Sequence, residues 1–164
     1  MTLRAFFDVD GVLTNGSFLY TQEGKAGKMF STGDSDALKI LSSIAQVQLV
    51  SADKGGMRIS QQRANDIGLP ILTMSPKERE SHFRELRNSG TVFYMGDSAL
   101  DSLVFESVDI SACPADADPL ARAAATFVTS SNGGARAVSE ACFRLLELTG
   151  VSSREALRAF FERS

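Results

Sequence analysis

Short apolar runs alternate along the chain with longer segments in which apolar residues recur at helical spacing. The runs are rich in β-branched and aromatic residues, and they cover residues 3–7, 47–50, 70–73, 91–95 and 108–112, with residues 126–129 as a candidate sixth. Strands that alternate with helices in this way are typical of βαβ units. The pattern therefore predicts an α/β fold built on a mainly parallel sheet.

Helix ends are marked by capping residues and glycines. Ser75, Pro76 and Glu78 form a capping box with proline at the first helical position, and Gly90 follows as a terminator. We therefore expect a helix from Pro76 to just before Gly90. Further helices are predicted over residues 57–67 and 135–148, each followed closely by a glycine, and from the Ser152 and Glu155 cap to the C-terminus.

One segment departs from this alternation. Residues 17–20 and 28–31 flank the turn-prone stretch 23–27, which predicts a β-hairpin inserted after the first strand, over about residues 16–31. The sequence contains no internal repeat, low-complexity tract or linker. We therefore expect residues 1–164 to form one domain with this hairpin as an insertion.

Composition and charge narrow the possible functions. The 164 residues include 17 Lys plus Arg and 20 Asp plus Glu, a net charge of -3 that argues against non-specific binding to nucleic acid. The apolar runs are too short for a signal peptide or a membrane span, so we expect a cytoplasmic protein without a membrane partner. The presence of only two cysteines and one histidine argues against a zinc site and against histidine catalysis. Carboxylates are left as the candidate catalytic groups.

Polar residues follow the predicted strands where each strand ends. The first strand runs into Asp8 and Asp10, followed by Gly11, where the chain can turn and bring both carboxylates toward one site. The later strands and the helix start at residue 76 add further polar groups, namely Ser51, Lys77, Asp97 and Asp101. Ligands in open α/β sheets gather at this carboxyl edge, so these residues form the candidate site.

This set of residues suits phosphoryl transfer. A carboxylate such as Asp8 can attack phosphorus, provided that a cation offsets its repulsion from the phosphate ester. Mg²⁺ prefers oxygen ligands, which Asp8, Asp97 and a main-chain carbonyl near Asp10 supply. Lys77 and Ser51 can bind the phosphate, and Asp10 can act as general acid and then base.

The same motifs, in the same order, resemble those of the haloacid dehalogenase superfamily of phosphatases. The resemblance implies a three-layer Rossmann-like fold and assigns Asp8 as nucleophile, Asp10 as acid and base, Ser51 and Lys77 as phosphate ligands, and Asp97 as a metal ligand. It also places Asp101 near the metal, where it would orient Lys77 or a bound water. The small size, and a hairpin in place of a large cap domain, resemble the capless branch of this superfamily.

Members of that branch act on phosphorylated 2-keto-3-deoxy sugar acids, either octulosonate 8-phosphate or nononate 9-phosphates of the sialic acid type. Octulosonate phosphatases typically carry Thr-Gly-Arg where this chain reads Ser51-Ala52-Asp53. The acidic Asp53, together with Thr32, Asp34 and Ser35, is closer to the nononate enzymes. These four residues are therefore candidate substrate contacts.

Arg136 is a fifth candidate, because its guanidinium matches a substrate carboxylate. The preceding pair Gly133 and Gly134 fits either a simple loop before a helix or a backbone that approaches a bound anion.

The resemblance also implies a homotetramer in which hairpins help to close neighbouring sites. Phe18, Tyr20, Met29 and Phe30 supply the apolar hairpin surface that such an interface needs. Two alternatives to a sugar-acid phosphatase stay open at this point. One is a non-catalytic assembly module like the C-terminal domain of acylneuraminate cytidylyltransferases, and the other is a phosphatase for another class of small ester.

Overall fold

Eight strands lie in the described part of the chain, residues 2–86 and 90–163 of a computed structural model. They are β1 (Leu3–Asp8), β2 (Leu19–Thr21), β3 (Gly24–Gly27), β4 (Gln46–Ser51), β5 (Ile71–Thr73), β6 (Thr91–Met95), β7 (Ile110–Cys113) and β8 (Phe127–Val128). Alternation along each core strand sends side chains to opposite faces of the sheet. In β1, Ala5 and Phe7 pack into one core and Phe6 into the other.

The main sheet is parallel throughout and has the strand order β5-β4-β1-β6-β7-β8. Because β1 lies between β4 and β6, the chain leaves β1 toward one side of the sheet and later continues on the other. Asp8 pairs with Val50, and Phe7 pairs with Met95, so the three central strands end at a common edge. This is the crevice in which open α/β folds bind ligands.

Helices cover both faces of the sheet. They are α1 (Thr32–Ser42), α2 (Met57–Ile67), α3 (Pro76–Leu86), α4 (Asp101–Phe105), α5 (Pro119–Ala124), α6 (Ala137–Leu148) and α7 (Ser153–Arg163). Helices α1, α2, α6 and α7 contribute to one buried core, and α3, α4 and α5 to the other. The three-layer α/β fold is therefore confirmed. Among the described residues, no helix combines the length and the apolar character needed to span a membrane.

The predicted core strands are confirmed, the candidate sixth included, and so are the helices over residues 57–67 and at the C-terminus. Helix α6 begins at Ala137, two residues later than predicted. In α3 the capping box forms, with the amide of Ser75 donating to Glu78 at 2.8 Å and the amide of Glu78 donating to Ser75 at 3.3 Å. The last predicted turn, residues 87–89, lies outside the described residues.

The hairpin exists, but its second strand is not where the sequence predicts it. Strand β3 occupies the stretch expected to turn, and Thr21 pairs directly with Gly24. Gly24 adopts φ +111°, which allows the chain to reverse over only two residues. Residues 28–31 are thereby free to cross back toward the sheet, and Ser31 caps α1, a helix that we did not predict.

Arg136 is the only residue other than glycine with a positive φ in the described part of the chain, at +79°. It stands at the N-cap of α6 without a side-chain capping hydrogen bond. A side chain in this left-handed region costs about 1–2 kcal/mol, a cost that glycine avoids.

Arg136→Gly should therefore stabilise the protein and raise its melting temperature by about 2–4 °C, the shift that 1 kcal/mol gives in a domain of this size. Differential scanning calorimetry measures the effect. Arg136→Ala is the matched control, because it removes the side chain but keeps the Cβ and the strain. An equal rise in both variants would show that the backbone conformation is not the cause.

Candidate active site

The loop after β1 brings Asp8 and Asp10 to the carboxyl edge of the sheet. Gly11 turns the chain with φ +88°, and a Cβ at this position would lie 1.9 Å from Oδ2 of Asp97. The turn is closed by the amide of Thr14, which donates to the carbonyl of Val9 at 3.1 Å. Glycine is required here because the carboxylate of Asp97 fills the space that a side chain would need.

Gly133 and Gly134 hold this loop from the side of α6. The amide of Gly134 donates to the carbonyl of Val12 at 3.0 Å, and a Cβ on Gly133 would lie 2.0 Å from the carbonyl oxygen of Gly11. The amide of Gly133 donates to Asp116 at 2.9 Å. Both amides are engaged within the protein, so the pair packs two loops together and does not offer its backbone to an anion.

Asp101 organises the loop after β6. Its Oδ2 accepts hydrogen bonds from the amides of Asp97 and Ser98, at 3.2 and 3.0 Å, and from the hydroxyl of Ser98 at 2.7 Å. A Cβ on Gly96 would come within 2.5 Å of Cγ of Asp101. This packing fixes the position of Asp97 beside Asp8.

The positive group beside Asp8 is Arg79, not Lys77. Nη2 of Arg79 lies 3.0 Å from Oδ1 of Asp8, and its Nη1 lies 2.9 Å from Oδ1 of Asp101. Helix α3 turns Arg79 and Phe83 toward the sheet, since they are one turn apart, and it leaves Lys77 exposed on its outer side. The prediction that Lys77 would lie beside Asp8 is therefore corrected, because Arg79 occupies that position. The spacing of Arg79 from the apolar Phe83 was the available signal.

Three carboxylates, those of Asp8, Asp97 and Asp101, have oxygens within 4.8 Å of one another. Burial raises the pKa of Asp8 well above its usual value, and Asp101 and Asp97 raise it further against the opposing effect of Arg79. Burial, followed by the charge of Asp101, raises the pKa of Asp97 to about 7. One guanidinium does not balance this cluster, which makes it a fitting place for a divalent cation.

An oxygen-only donor set suits Mg²⁺. Asp101 already accepts hydrogen bonds from protein groups on both carboxylate oxygens. Asp8 and Asp97 are therefore the side chains that would hold the ion. The carboxylate of Asp10 is not part of this close group of described residues.

Asp10 and Asp53 are bound by two lysines from the hairpin segment that the sequence analysis did not single out. Nζ of Lys28 lies 2.7 Å from Asp10 and 2.9 Å from Asp53. Nζ of Lys25 lies 2.6 Å from Asp53 and 3.4 Å from the ring centroid of Phe18. Although burial opposes it, hydrogen bonding from the two lysines lowers the pKa of Asp53 to about 2.

These groups line an open cavity of about 390 Å³ at the sheet edge. Asp8, Asp10, Arg79 and Asp97 lie in it, while Phe18, Lys25, Asp53 and Leu100 contribute to its walls. Ser51 is buried at the end of β4, where its Oγ accepts from the amide of Asp53 at 3.2 Å. The cavity is thus acidic at the sheet edge and mixed in charge toward the hairpin.

Of the predicted substrate contacts on α1, none lies among the described residues that line this cavity. Asp34 is buried and accepts a hydrogen bond from the amide of Ser139 at 2.8 Å, which ties α1 to the first turn of α6. Ser35 is also buried, and its hydroxyl donates to the carbonyl of Ser31. Both side chains stabilise the packing of α1.

Thr32 and Arg136 are exposed and lie outside the same cavity. The guanidinium of Arg136 lies over Gly33, 3.5 Å from where a Cβ would be. Of the five substrate candidates, only Asp53 lines the cavity.

Asp97→Asn should stabilise the metal-free protein at pH 8, because it removes a negative charge that burial and Asp101 disfavour. The pKa of Asp97 is raised from 3.8 to about 7 in the folded protein, so folding opposes the ionisation of this carboxyl. The contribution of Asp97 to the free energy of unfolding therefore falls as pH rises from 3.8 toward 7. We therefore expect a melting temperature about 2–4 °C above the wild type at pH 8, and a smaller difference at pH 5.

Thermal melts in EDTA measure this difference, with exposed Asp36→Asn as the matched surface control. Added Mg²⁺ should stabilise the wild type and not Asp97→Asn, because a ligand that binds only the folded state raises its stability. Equal stabilisation of both proteins by Mg²⁺ would remove Asp97 from the metal site.

No protein-family model matches the chain. Among curated proteins, the chain is 30% identical over 151 residues to the 3-deoxy-D-manno-octulosonate 8-phosphate phosphatase of Haemophilus influenzae, covering 89% of this chain and 83% of that protein. The cobalt-bound structure of the H. influenzae phosphatase is 29% identical with a TM-score of 0.79, over 90% of this chain and 88% of that one.

The fold also matches a structure of the phosphatase from Moraxella catarrhalis in complex with magnesium, phosphate and the sugar acid KDO. The TM-score is 0.81 at 24% identity, over 98% of this chain and 93% of that one. The likeness extends over almost the whole of both chains.

Proposed function

We propose a reaction and a substrate class from one premise: the chain belongs to the 3-deoxy-D-manno-octulosonate 8-phosphate phosphatases of the haloacid dehalogenase superfamily and is a phosphatase. The proposed reaction is Mg²⁺-dependent hydrolysis of the phosphate monoester of a 2-keto-3-deoxy sugar acid. The observation that carries it is the ion pair of Asp8 with Arg79, next to Asp97, in an open cavity.

Hydrolysis proceeds in two steps at Asp8. An oxygen of its carboxylate attacks phosphorus, the bond from phosphorus to the ester oxygen breaks, and Asp10 gives its proton to the departing alcohol. In the second step Asp10 takes a proton from water, and the resulting hydroxide displaces phosphate from the aspartyl-phosphate. Bound Mg²⁺ supplies charge neutralisation for the phosphoryl oxygens, and Asp8 and Asp97 would hold it.

Arg79 has the role that the sequence analysis gave to Lys77. Its guanidinium is already paired with the nucleophile, so a phosphoryl group bound at Asp8 meets a fixed positive charge. A guanidinium can also donate two parallel hydrogen bonds to phosphate, which an ammonium cannot. Ser51, at the end of β4, is the proposed hydroxyl donor to a phosphoryl oxygen.

The substrate proposed first is KDO 8-phosphate, because the 30% identical relative is named for it. The acidic Asp53 had favoured nononate 9-phosphates. Its carboxylate, however, is held by Lys25 and Lys28 and is not free to determine the charge of the substrate site. The nononate esters therefore become the second choice within the same class.

The proposal includes a homotetramer in the cytoplasm whose unit is a single domain, residues 1–164. Its support is apolar surface on and beside the hairpin, where Leu19, Tyr20 and Met29 are 66%, 64% and 80% exposed. Surface of this kind is typical of an interface.

Purified protein with Mg²⁺ should release phosphate from KDO 8-phosphate faster than from nononate 9-phosphates or p-nitrophenyl phosphate, as a phosphate-release assay will measure. Asp8→Asn should lose more than 10³-fold in kcat, since an amide is not a nucleophile. Equal, slow turnover of all esters would refute the substrate class. Normal turnover by Asp8→Asn would refute the covalent mechanism, and no turnover by the wild type would favour the assembly module.

Arg79→Met should lower kcat/KM for the preferred ester by at least about 10²-fold, because it removes the fixed positive side chain beside Asp8 and the phosphoryl group. Lys77→Met on the same helix is the matched control and should stay within about twofold of the wild type. Steady-state kinetics on the two variants measure this difference. A large loss in Lys77→Met with little effect in Arg79→Met would assign the phosphate-binding role to Lys77.

A further inference from the structure

Tyr94 is a buried tyrosine on β6 whose hydroxyl contacts Arg79, the positive group beside Asp8. Nη1 of Arg79 donates to the Tyr94 hydroxyl oxygen at 2.6 Å, and that hydroxyl donates to Oδ1 of Asp101 at 2.6 Å. The same Nη1 also reaches Oδ1 of Asp101 at 2.9 Å. Tyr94 is fully buried and is not among the residues that line the cavity.

The two ends of the Arg79 guanidinium make different contacts. Nη2 faces the nucleophile Asp8, and Nη1 faces the pair formed by Tyr94 and Asp101. Nε has no hydrogen-bond partner among the described residues. Because the guanidinium is planar and rigid, the contacts of Nη1 with Tyr94 and Asp101 also fix the direction in which Nη2 points.

The tyrosine ring is fixed independently of its hydroxyl. Its centroid lies 4.9 Å from that of Phe83 on α3 and 6.0 Å from that of Phe105 on α4. Burial raises the pKa of Tyr94 well above its usual value, so the hydroxyl keeps its proton and donates to Asp101. Replacing Tyr94 by Phe would remove the hydroxyl and leave the ring packing in place.

We propose that Tyr94 is a positioning residue for Arg79: together with Asp101 it holds Nη1 so that Nη2 points at Asp8 and the phosphoryl group. Tyr94 acts through the guanidinium and does not touch the substrate. The proposal rests on the function proposed for Arg79 in phosphate binding.

A double-mutant cycle between Tyr94→Phe and Arg79→Lys tests this inference. In the protein with Arg79, we expect Tyr94→Phe to lower kcat/KM about tenfold, the size expected for a lost hydrogen bond to a charged group. A lysine ammonium is not a rigid planar fork, so a contact with Tyr94 and Asp101 would not fix the direction of a second N–H toward Asp8. In the Arg79→Lys background, the loss caused by Tyr94→Phe should therefore fall below about twofold. Ser81→Ala, which removes an exposed hydroxyl from α3, is the control and should have no effect.

A merely structural role for Tyr94 predicts a different result, an equal fold-loss in both backgrounds together with a lower melting temperature. That result would overturn the proposal, and so would wild-type kcat/KM in Tyr94→Phe. The same cycle can be measured by calorimetry as the affinity for inorganic phosphate in the presence of Mg²⁺. We expect Tyr94→Phe to lower this affinity about tenfold in the protein with Arg79 and less than about twofold in the Arg79→Lys background. If the wild type shows no turnover, the proposed function fails, and the phosphate affinities still decide the role of Tyr94.

Discussion

The crowding of carboxylates at the carboxyl edge of the sheet is the constraint that the rest of the site satisfies. Asp8, Asp97 and Asp101 are close enough to share an ion, and burial makes the negative charges of Asp8 and Asp97 costly. One buried guanidinium, that of Arg79, offsets part of this cost. The carboxylates also differ in the contacts they make. Asp101 is saturated by protein donors, which leaves Asp8 and Asp97 for chemistry. The excess negative charge that remains is what gives a divalent cation a place to bind.

The hairpin segment contributes charged side chains, rather than a cap domain, to this site. Lys28 has a fully buried ammonium group between Asp10 and Asp53, and Lys25 approaches Asp53 from the other side. A buried ion pair that loses one partner is destabilising, because the remaining charge is left unpaired. The hairpin and the loop after β1 are therefore electrostatically joined, although they are separate elements in the sequence. The acid and base proposed for the reaction is positioned partly by this insertion.

Much of this arrangement could be predicted from the sequence. The strands are recognised from local patterns, and ligands of open α/β sheets generally bind at the carboxyl edge. Asp8 and Ser51 end their strands, and Asp10, Asp97 and Asp101 come within a few residues of a strand end, so locating the strands located them. Lys77 failed because it was chosen by charge and proximity, whereas the face of α3 that meets the sheet is set by packing, which turns Arg79 inward. Asp34 and Ser35 failed for a similar reason: their helix was not predicted. The lysine contacts with Asp53 join residues 25 or more positions apart, and no local pattern reports them.

Four glycines in the site, Gly11, Gly96, Gly133 and Gly134, are surrounded so closely that an added methyl group would meet another atom within 1.9 to 2.7 Å. None of them carries a group that could react or bind. A survey of tolerated substitutions along this chain would nevertheless mark them as strictly as the aspartates, because any side chain there would displace a carboxylate or separate two loops. For this fold, intolerance to substitution identifies the geometry of the site as much as its chemistry, and the two are distinguished only by asking what each residue's atoms touch.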